Sequence, residues 1–274
     1  MAIQPRRMNF DFDPDQIPRD WCCGIPLLSH AVNGMNLIFP EGERFFIRAV
    51  RHHLGQIDDP ELRSQAKAFF IQEAHHGRAH AQAFEMLESQ GHDLTDWLAW
   101  YTDWIARLER WLPPVLRLAA TAALEHLTAS LAHFAMTSGL LEGSHPVMRD
   151  LLEWHSLEEM EHKAVAFDIL AAVDGRWWVR VAGMGIGLMM FLVFWMSGVR
   201  LLLRQDPQFK RSHLKPQRAQ LRARLSIRDG RLLVTRYALP YLRRGFHPDQ
   251  IDDSALQAQA LSRLMARYPG EAAG

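Results

Sequence analysis

Cysteine is nearly absent from this 274-residue chain, and the two that occur, Cys22 and Cys23, are adjacent. Neighbouring cysteines close no loop and lack the spacing of a zinc knuckle. That excludes a disulfide framework and a cysteine-based metal site, and it fits a reducing compartment. Net charge is absent too, with 31 Lys plus Arg against 31 Asp plus Glu. A balanced chain argues against a nucleic-acid partner, although it leaves room for a local basic patch. No apolar run follows Arg6 and Arg7, so no signal peptide is expected. The nucleophile and zinc motifs G-x-S-x-G and H-E-x-x-H do not occur. Period-two alternation is missing before residue 175, which excludes a conventional sheet and predicts an all-α protein. What the chain has is 48% hydrophobic residues, enough for a sizeable core, together with 14 His and 9 Trp.

Proline and glycine punctuate residues 1–40 (Pro5, Pro14, Pro18, Gly24, Pro26, Gly34, Pro40), which predicts an N-terminal arm rather than a long helix. From Glu41 the apolar residues Phe46, Ile47, Val50 and Leu54 recur at helical spacing. Pro60 opens a second helix that Gly91 stops, and an aromatic helical segment spans 93–111. A third long helix is expected over 117–138 and a fourth over 146–173, closed by Gly175. The architecture expected for 41–175 is a four-helix bundle with a crossover between its second and third long helices. Residues 176–204 form a separate apolar helix, and 205–274 a basic helical tail.

Two Glu-x-x-His pairs carry the chemistry, Glu73/His76 and Glu159/His162. Residues three apart on a helix share a face, so each pair can place a carboxylate and an imidazole on one metal. Each pair is preceded by another glutamate on the previous helix: Glu43 lies 30 residues before Glu73, and Glu125 lies 34 before Glu159. In antiparallel helices such separations return the chain to one height. The six side chains then match the ligand set of ferritin-like di-iron and di-manganese carboxylate proteins. Their faces are otherwise small or apolar, and buried carboxylates are costly unless paired or metal-bound. The donor set suits two metal ions, iron first, with manganese or zinc as alternatives. His80 and His155, one turn from the ligand helices' motifs, stand as second-layer groups or extra ligands. Glu158 is a second-layer group or extra ligand like these two, a rival of Glu159, or a solvent-facing neighbour; Glu161 is read as solvent-facing, and Glu41 is a rival of Glu43. His126 points away from Glu125, and His133 is placed near the rim.

The runs FPEGERFF, FFIQEAHHGRAH, LEHLTA and WHSLEEMEHKAVAFD resemble bacterial proteins catalogued as predicted metal-dependent hydrolases, a ferritin-like group. The resemblance covers most of the chain and implies a metal site at Glu43, Glu73, His76, Glu125, Glu159 and His162. From the residues, the leading expectation is O₂-dependent oxidation of a lipophilic substrate, sheltered by Phe69, Phe70 and Phe84 and served by an electron donor. The alternative is metal-dependent hydrolysis, as the resemblance implies, in which two metals activate water. A third reading is a non-catalytic metal-binding protein.

Residues 181–199 contain no charge, and Trp177, Trp178, Arg176 and Arg180 precede them. From Arg200 to Arg244 there are thirteen basic residues and two acidic ones. The apolar stretch can span a bilayer, lie on it, or pack as a fifth core helix. Gly183, Gly185 and Gly187, the tryptophan edge and the basic run favour an interfacial element. The expected location is cytoplasmic, peripheral or monotopic on the inner face of the membrane.

Overall fold

The computed structural model describes residues 3–210, 212, 214–224, 231, 235 and 239–271. All regular secondary structure among them is helical, as expected. The helices are α1 (Pro26–His53), α2 (Pro60–Ser89), α3 (Thr95–Trp111), α4 (Pro114–Thr137), α5 (Pro146–His162), α6 (Val165–Val173), α7 (Trp177–Gln205), α8 (Leu214–Arg224) and α9 (Ser254–Arg267). The expected basic helical tail is corrected in part: 206–210 and 239–253 form turns and short 3-10 segments, where Pro207, Pro240, Gly245 and Pro248 interrupt a helix, and 211, 213, 225–230, 232–234, 236–238 and 272–274 lie outside the described residues.

Proline starts α1, α2, α4 and α5, where its missing N–H costs no hydrogen bond. At α2, Asp59 also caps the helix by accepting the Glu61 N–H. Around the core, α1 packs on α2 and α4, α4 packs on α5 and α6, and α2 contacts α5 and α6. The core among these helices includes Phe45, Val50, Phe69, Leu118, Leu151 and Trp154, all buried. α4 is rich in alanine (Ala119, Ala120, Ala122, Ala123), so its neighbours approach closely.

Two further expectations are corrected. Residues 26–40 are not part of an arm: they are the first half of α1, which continues through Pro40. An interior proline costs about 3 kcal/mol of helix stability. Burial offsets it, because both halves of α1 are anchored, by Leu28, Val32 and Leu37 before Pro40 and by Phe45, Phe46 and Val50 after it. The expected helix over 146–173 is broken at Lys163 and Ala164 into α5 and α6. At the break the Lys163 ammonium is held by Asp253 Oδ2 at 2.6 Å and by the Ile251 carbonyl at 2.5 Å.

α7 lies along α1 and α4. Glycines make this approach possible. A Cβ on Gly183 would sit 2.4 Å from the Ala119 backbone, and one on Gly187 would sit 3.1 Å from the Ala120 carbonyl oxygen. On α1, a Cβ on Gly34 would meet Val199 Cγ2 at 2.6 Å. The sequence reading of this glycine spacing as interfacial is therefore corrected for two of the three: Gly183 and Gly187 are helix-packing residues. Only Gly185 faces open space. Gly183→Val will thus destabilise the fold by about 1–3 kcal/mol or more through overpacking against rigid backbone. Gly185→Ala will leave stability unchanged or raise it by up to about 1 kcal/mol, from helix propensity alone. Urea denaturation of the two variants checks the contrast; similar losses for both would remove this account of the α4–α7 contact.

Candidate metal centre

The six sequence-derived candidates converge, one or two from each of four helices. Glu43 comes from α1, Glu73 and His76 from α2, Glu125 from α4, and Glu159 and His162 from α5. All are buried, none more than 3% exposed. His162 Nε2 lies 3.1 Å from Glu125 Oε2, 3.2 Å from Glu73 Oε1 and 3.6 Å from Glu159 Oε2. His76 Nδ1 lies 3.8 Å from Glu73 Oε1. Four overlapping groups emerge among the described residues, Glu43/Glu73/His76, Glu73/Glu125/His162, His76/His155/Glu159 and Glu43/His80/His155, each with ligand atoms within 4.8 Å of one another. Glu73 is common to the first two.

The donor atoms fit a cation. Among the described residues, no hydrogen bond reaches either oxygen of Glu43, Glu73 or Glu125, nor His76 Nδ1, nor His162 Nε2. The close His162 contacts lie within ion-pair distance but are not aligned as hydrogen bonds. Buried carboxylates without donors are costly, and a set of them aimed at one point calls for positive charge. Burial pushes the Glu43 and Glu73 carboxyls well up, and each is raised further by the neighbouring glutamates. Burial raises Glu125 to about 7. Glu159 differs. Its oxygens accept from His155 Nε2 at 2.9 Å and Thr128 Oγ1 at 2.5 Å. Against the cost of burial, its contacts with His155 and His162 hold its carboxyl well below the usual range.

A family model described as predicted metal-dependent hydrolase matches residues 4–252. The chain belongs to the predicted metal-dependent hydrolases. No curated protein and no solved structure matches it. The family and the Glu/His groups both support metal dependence. The family also favours hydrolysis, the alternative of the sequence reading, over oxidation, its leading expectation.

In this predicted metal-dependent hydrolase a second layer of side chains orients both imidazoles. His76 Nε2 lies 3.0 Å from Glu158 Oε2, which leaves Nδ1 facing Glu73. His162 Nδ1 lies 3.0 Å from Gln72 Oε1, which leaves Nε2 among the carboxylates. Gln72 in turn donates to Glu161 Oε2 at 2.9 Å, which fixes the direction of its amide. Behind both stands Arg6. Its guanidinium grips Glu161 at 2.8 and 3.0 Å and reaches Glu158 Oε1 at 3.3 Å, and its backbone N–H donates to the same Glu158 oxygen at 2.9 Å. Burial lifts Glu158 to about 7, and Arg6 only opposes this, since Glu161 takes the better face of the guanidinium. Partners of this kind fix the tautomer and aim of ligand histidines.

Glu158 and Glu161 therefore do not face solvent, contrary to one sequence reading: Glu158 is fully buried, and the Glu161 side chain is 2% exposed. Glu41 is turned outward into ion pairs with Arg44 and Arg48, so Glu43 holds the inner position. His126 stacks on Tyr241, away from the centre, as expected. His133 bonds Asp253 at 2.5 Å rather than the rim. His80 Nε2 lies 2.6 Å from His155 Nδ1, which extends the chain Glu159–His155–His80 behind the centre. Both histidines also fall within ligand reach of Glu43. Arg6, Gln72 and Gly77 were not picked out from sequence. A Cβ on Gly77 would lie 2.8 Å from Glu43 Oε2, so glycine next to His76 leaves room for the opposing carboxylate.

In the metal-free protein the contribution of Glu125 to stability will fall as pH rises from about 4.5 to 7, while buried His76 and His80, pushed well down by burial, contribute the opposite slope below their ordinary range. Glu125 releases its proton near its ordinary 4.5 when unfolded but keeps it to about 7 when folded. Over that window the folded state binds more protons at this site, so its contribution favours unfolding with rising pH. Glu43 and Glu73 are shifted in the same direction. Metal-loaded protein will show the opposite trend, because its ligands must be deprotonated to bind. Denaturation of chelated wild type and Glu125→Gln at pH 5 and pH 8 isolates the Glu125 contribution, and loaded wild type at the same two pH values reads the effect of the metal.

Proposed function

We propose that this protein is a two-metal hydrolase acting on a lipophilic substrate. The observation that carries it is the buried group of donor-less carboxylate and imidazole atoms centred on Glu73. In this reading Glu43 and His76 would hold one cation, Glu125 and His162 would hold the other, and Glu73 would serve both. Two cations bound there would supply Lewis acidity and a water of lowered pKa. The carboxylate-rich donor set suits iron or manganese, with zinc also able to serve hydrolysis. Thr128 and His155 hold Glu159 ionised at the inner end of an apolar pocket, where it would add negative charge beside the cations. His80 stands behind His155 to orient it.

The pocket supports the substrate class. It is lined by Phe39, Phe46, Tyr101, Leu124, Phe191 and Phe194, and it reaches the centre at Glu43, Thr128 and Glu159. Such a wall favours an apolar group over a charged one, and its cavity of about 40 Å³ must widen by side-chain movement to take a chain. The test uses 4-nitrophenyl esters of increasing chain length, under nitrogen. Turnover should rise with chain length, vanish on chelation and return with added metal. Turnover that requires O₂ would instead favour the second reading, oxidation with an external electron donor. That reading draws on the four carboxylates and the aromatic lining, which would shelter a reactive centre from water. Dioxygen uptake and the absorption spectrum under air distinguish the two.

A further inference from the structure

α7 has two faces. Its inner side packs on α4 through Gly183 and Gly187 and on α1 through Val199. Its outer side carries Trp178, Leu188, Met189, Leu192, Val193 and Met196, all exposed, with Met189 at 59%. These positions recur at helical spacing and form one stripe. Over the nineteen residues from Trp178 to Met196, eighteen helical steps, the stripe is roughly 27 Å long. Exposed Trp100 and Trp111 on the neighbouring α3 add aromatic surface, and the Trp100 ring lies 5.7 Å from Phe194. Apolar surface of this extent on a folded chain marks an interaction site.

The occupant is indicated by charge. The same stripe continues past Met196 into Arg200 and Arg204, both exposed. On α8, Lys215, Arg218 and Arg222 are exposed as well. The segment 200–244 holds thirteen basic residues against two acidic. An apolar stripe flanked by tryptophan and arginine fits the boundary of an anionic bilayer. The packing also fixes the mode of binding. A helix that spans alone is sheathed by lipid on every side, whereas the inner face of α7 is fused to helices that carry Glu43 and Glu125.

We propose that the outer face of α7 docks this protein on an anionic phospholipid surface without spanning it, and that the same helix admits an acyl-chain substrate to the metal centre. The second half rests on the hydrolase reading above. Its support is that Met190, Phe191 and Phe194 line the pocket ending at Glu43 and Glu159, while Leu192 and Val193 beside them face outward. A chain leaving the lipid next to α7 crosses one helix thickness to reach the carboxylates.

The experiment is vesicle flotation of the full chain, with phosphatidylcholine alone and with added phosphatidylglycerol. Wild type should float with the anionic vesicles. Met189→Glu/Val193→Glu should bind about 10-fold more weakly or worse, from charge placed in the apolar face. Arg200→Glu/Arg204→Glu should lose several-fold of the anionic preference. Helical content and metal content should stay at wild-type level in both, because the altered side chains are exposed. Hydrolysis of 4-nitrophenyl palmitate in vesicles should fall in step with binding, while hydrolysis of soluble 4-nitrophenyl acetate is kept. Equal flotation of wild type and variants overturns docking. So does a soluble wild-type dimer that the Met189→Glu/Val193→Glu change dissociates, since a second copy would then cover the face. Vesicle binding with acetate hydrolysed but vesicle palmitate untouched overturns the entry route. Binding with no ester hydrolysed at all leaves docking intact and removes the hydrolase reading.

Discussion

His76→Ala and His162→Ala will each lower metal affinity by at least about 10-fold, since loss of even an outer partner costs that much at comparable sites. The two will differ in the metal-free protein. His162 Nε2 has three carboxylates between 3.1 and 3.6 Å, whereas His76 Nδ1 has Glu73 at 3.8 Å and a separate tie to Glu158 through Nε2. In the absence of metal, imidazolium at His162 is the positive charge closest to Glu73 and Glu125, and its acidity is pushed well down by Glu125 against the cost of burial. Removing it leaves those carboxylates without a counter-charge, at a cost of about 3–5 kcal/mol if they stay ionised. They escape part of that cost by taking up protons. Metal-free His76→Ala should be the milder change, and the His162→Ala penalty should be at least as large at pH 5 as at pH 8, because a raised imidazolium contributes its full stability below its ordinary range and loses it as pH rises. Metal titration and urea denaturation of the two variants measure both effects. Wild-type affinity in both variants would sink the assignment of the centre.

The centre was legible because its geometry is written in helix phase. Glu73/His76 and Glu159/His162 are three residues apart, and an α-helix converts that spacing into a shared face with no help from tertiary structure. Glu43 and Glu125 needed only the further premise that consecutive helices run antiparallel. What was missed is what acts across long sequence distance or against local preference. Pro40 reads as a helix stop, yet burial on both sides carries α1 through it. Gly183 reads as part of an interfacial element, yet its reason is Ala119 on another helix. Glu158 and Glu161 sit where an amphipathic helix would show its wet face. They are dry because an extended N-terminal segment lies over them and supplies Arg6, more than 150 residues away in sequence. Local periodicity carries no trace of that segment.

Arg6→Ala will be among the most damaging single changes outside the six candidate ligands. Arg6 is 1% exposed and lies against two carboxylates, Glu158 and Glu161, that are themselves buried. Truncation leaves both without their cation, and breaking a buried pair from one side costs about 3–5 kcal/mol. The damage reaches the metal centre by two routes, Glu158 to His76 and Glu161 through Gln72 to His162. Metal affinity should therefore fall about 10- to 100-fold, the usual range for partners that orient ligand histidines. Arg6→Lys keeps the charge but cannot grip both Glu161 oxygens as the planar guanidinium does, so it should recover stability better than affinity. The decisive measurement is a double-mutant cycle. If Arg6 acts by compensating these carboxylates, then adding Glu158→Gln/Glu161→Gln to Arg6→Ala will restore much of the lost stability, with coupling of about 0.5–3 kcal/mol. It will not restore metal affinity, because the neutral amides orient the imidazoles less firmly than the ionised pair. A stability loss for Arg6→Ala within about 0.5 kcal/mol of zero, the range of an ordinary surface substitution, would reduce the N-terminal segment to a passive cover.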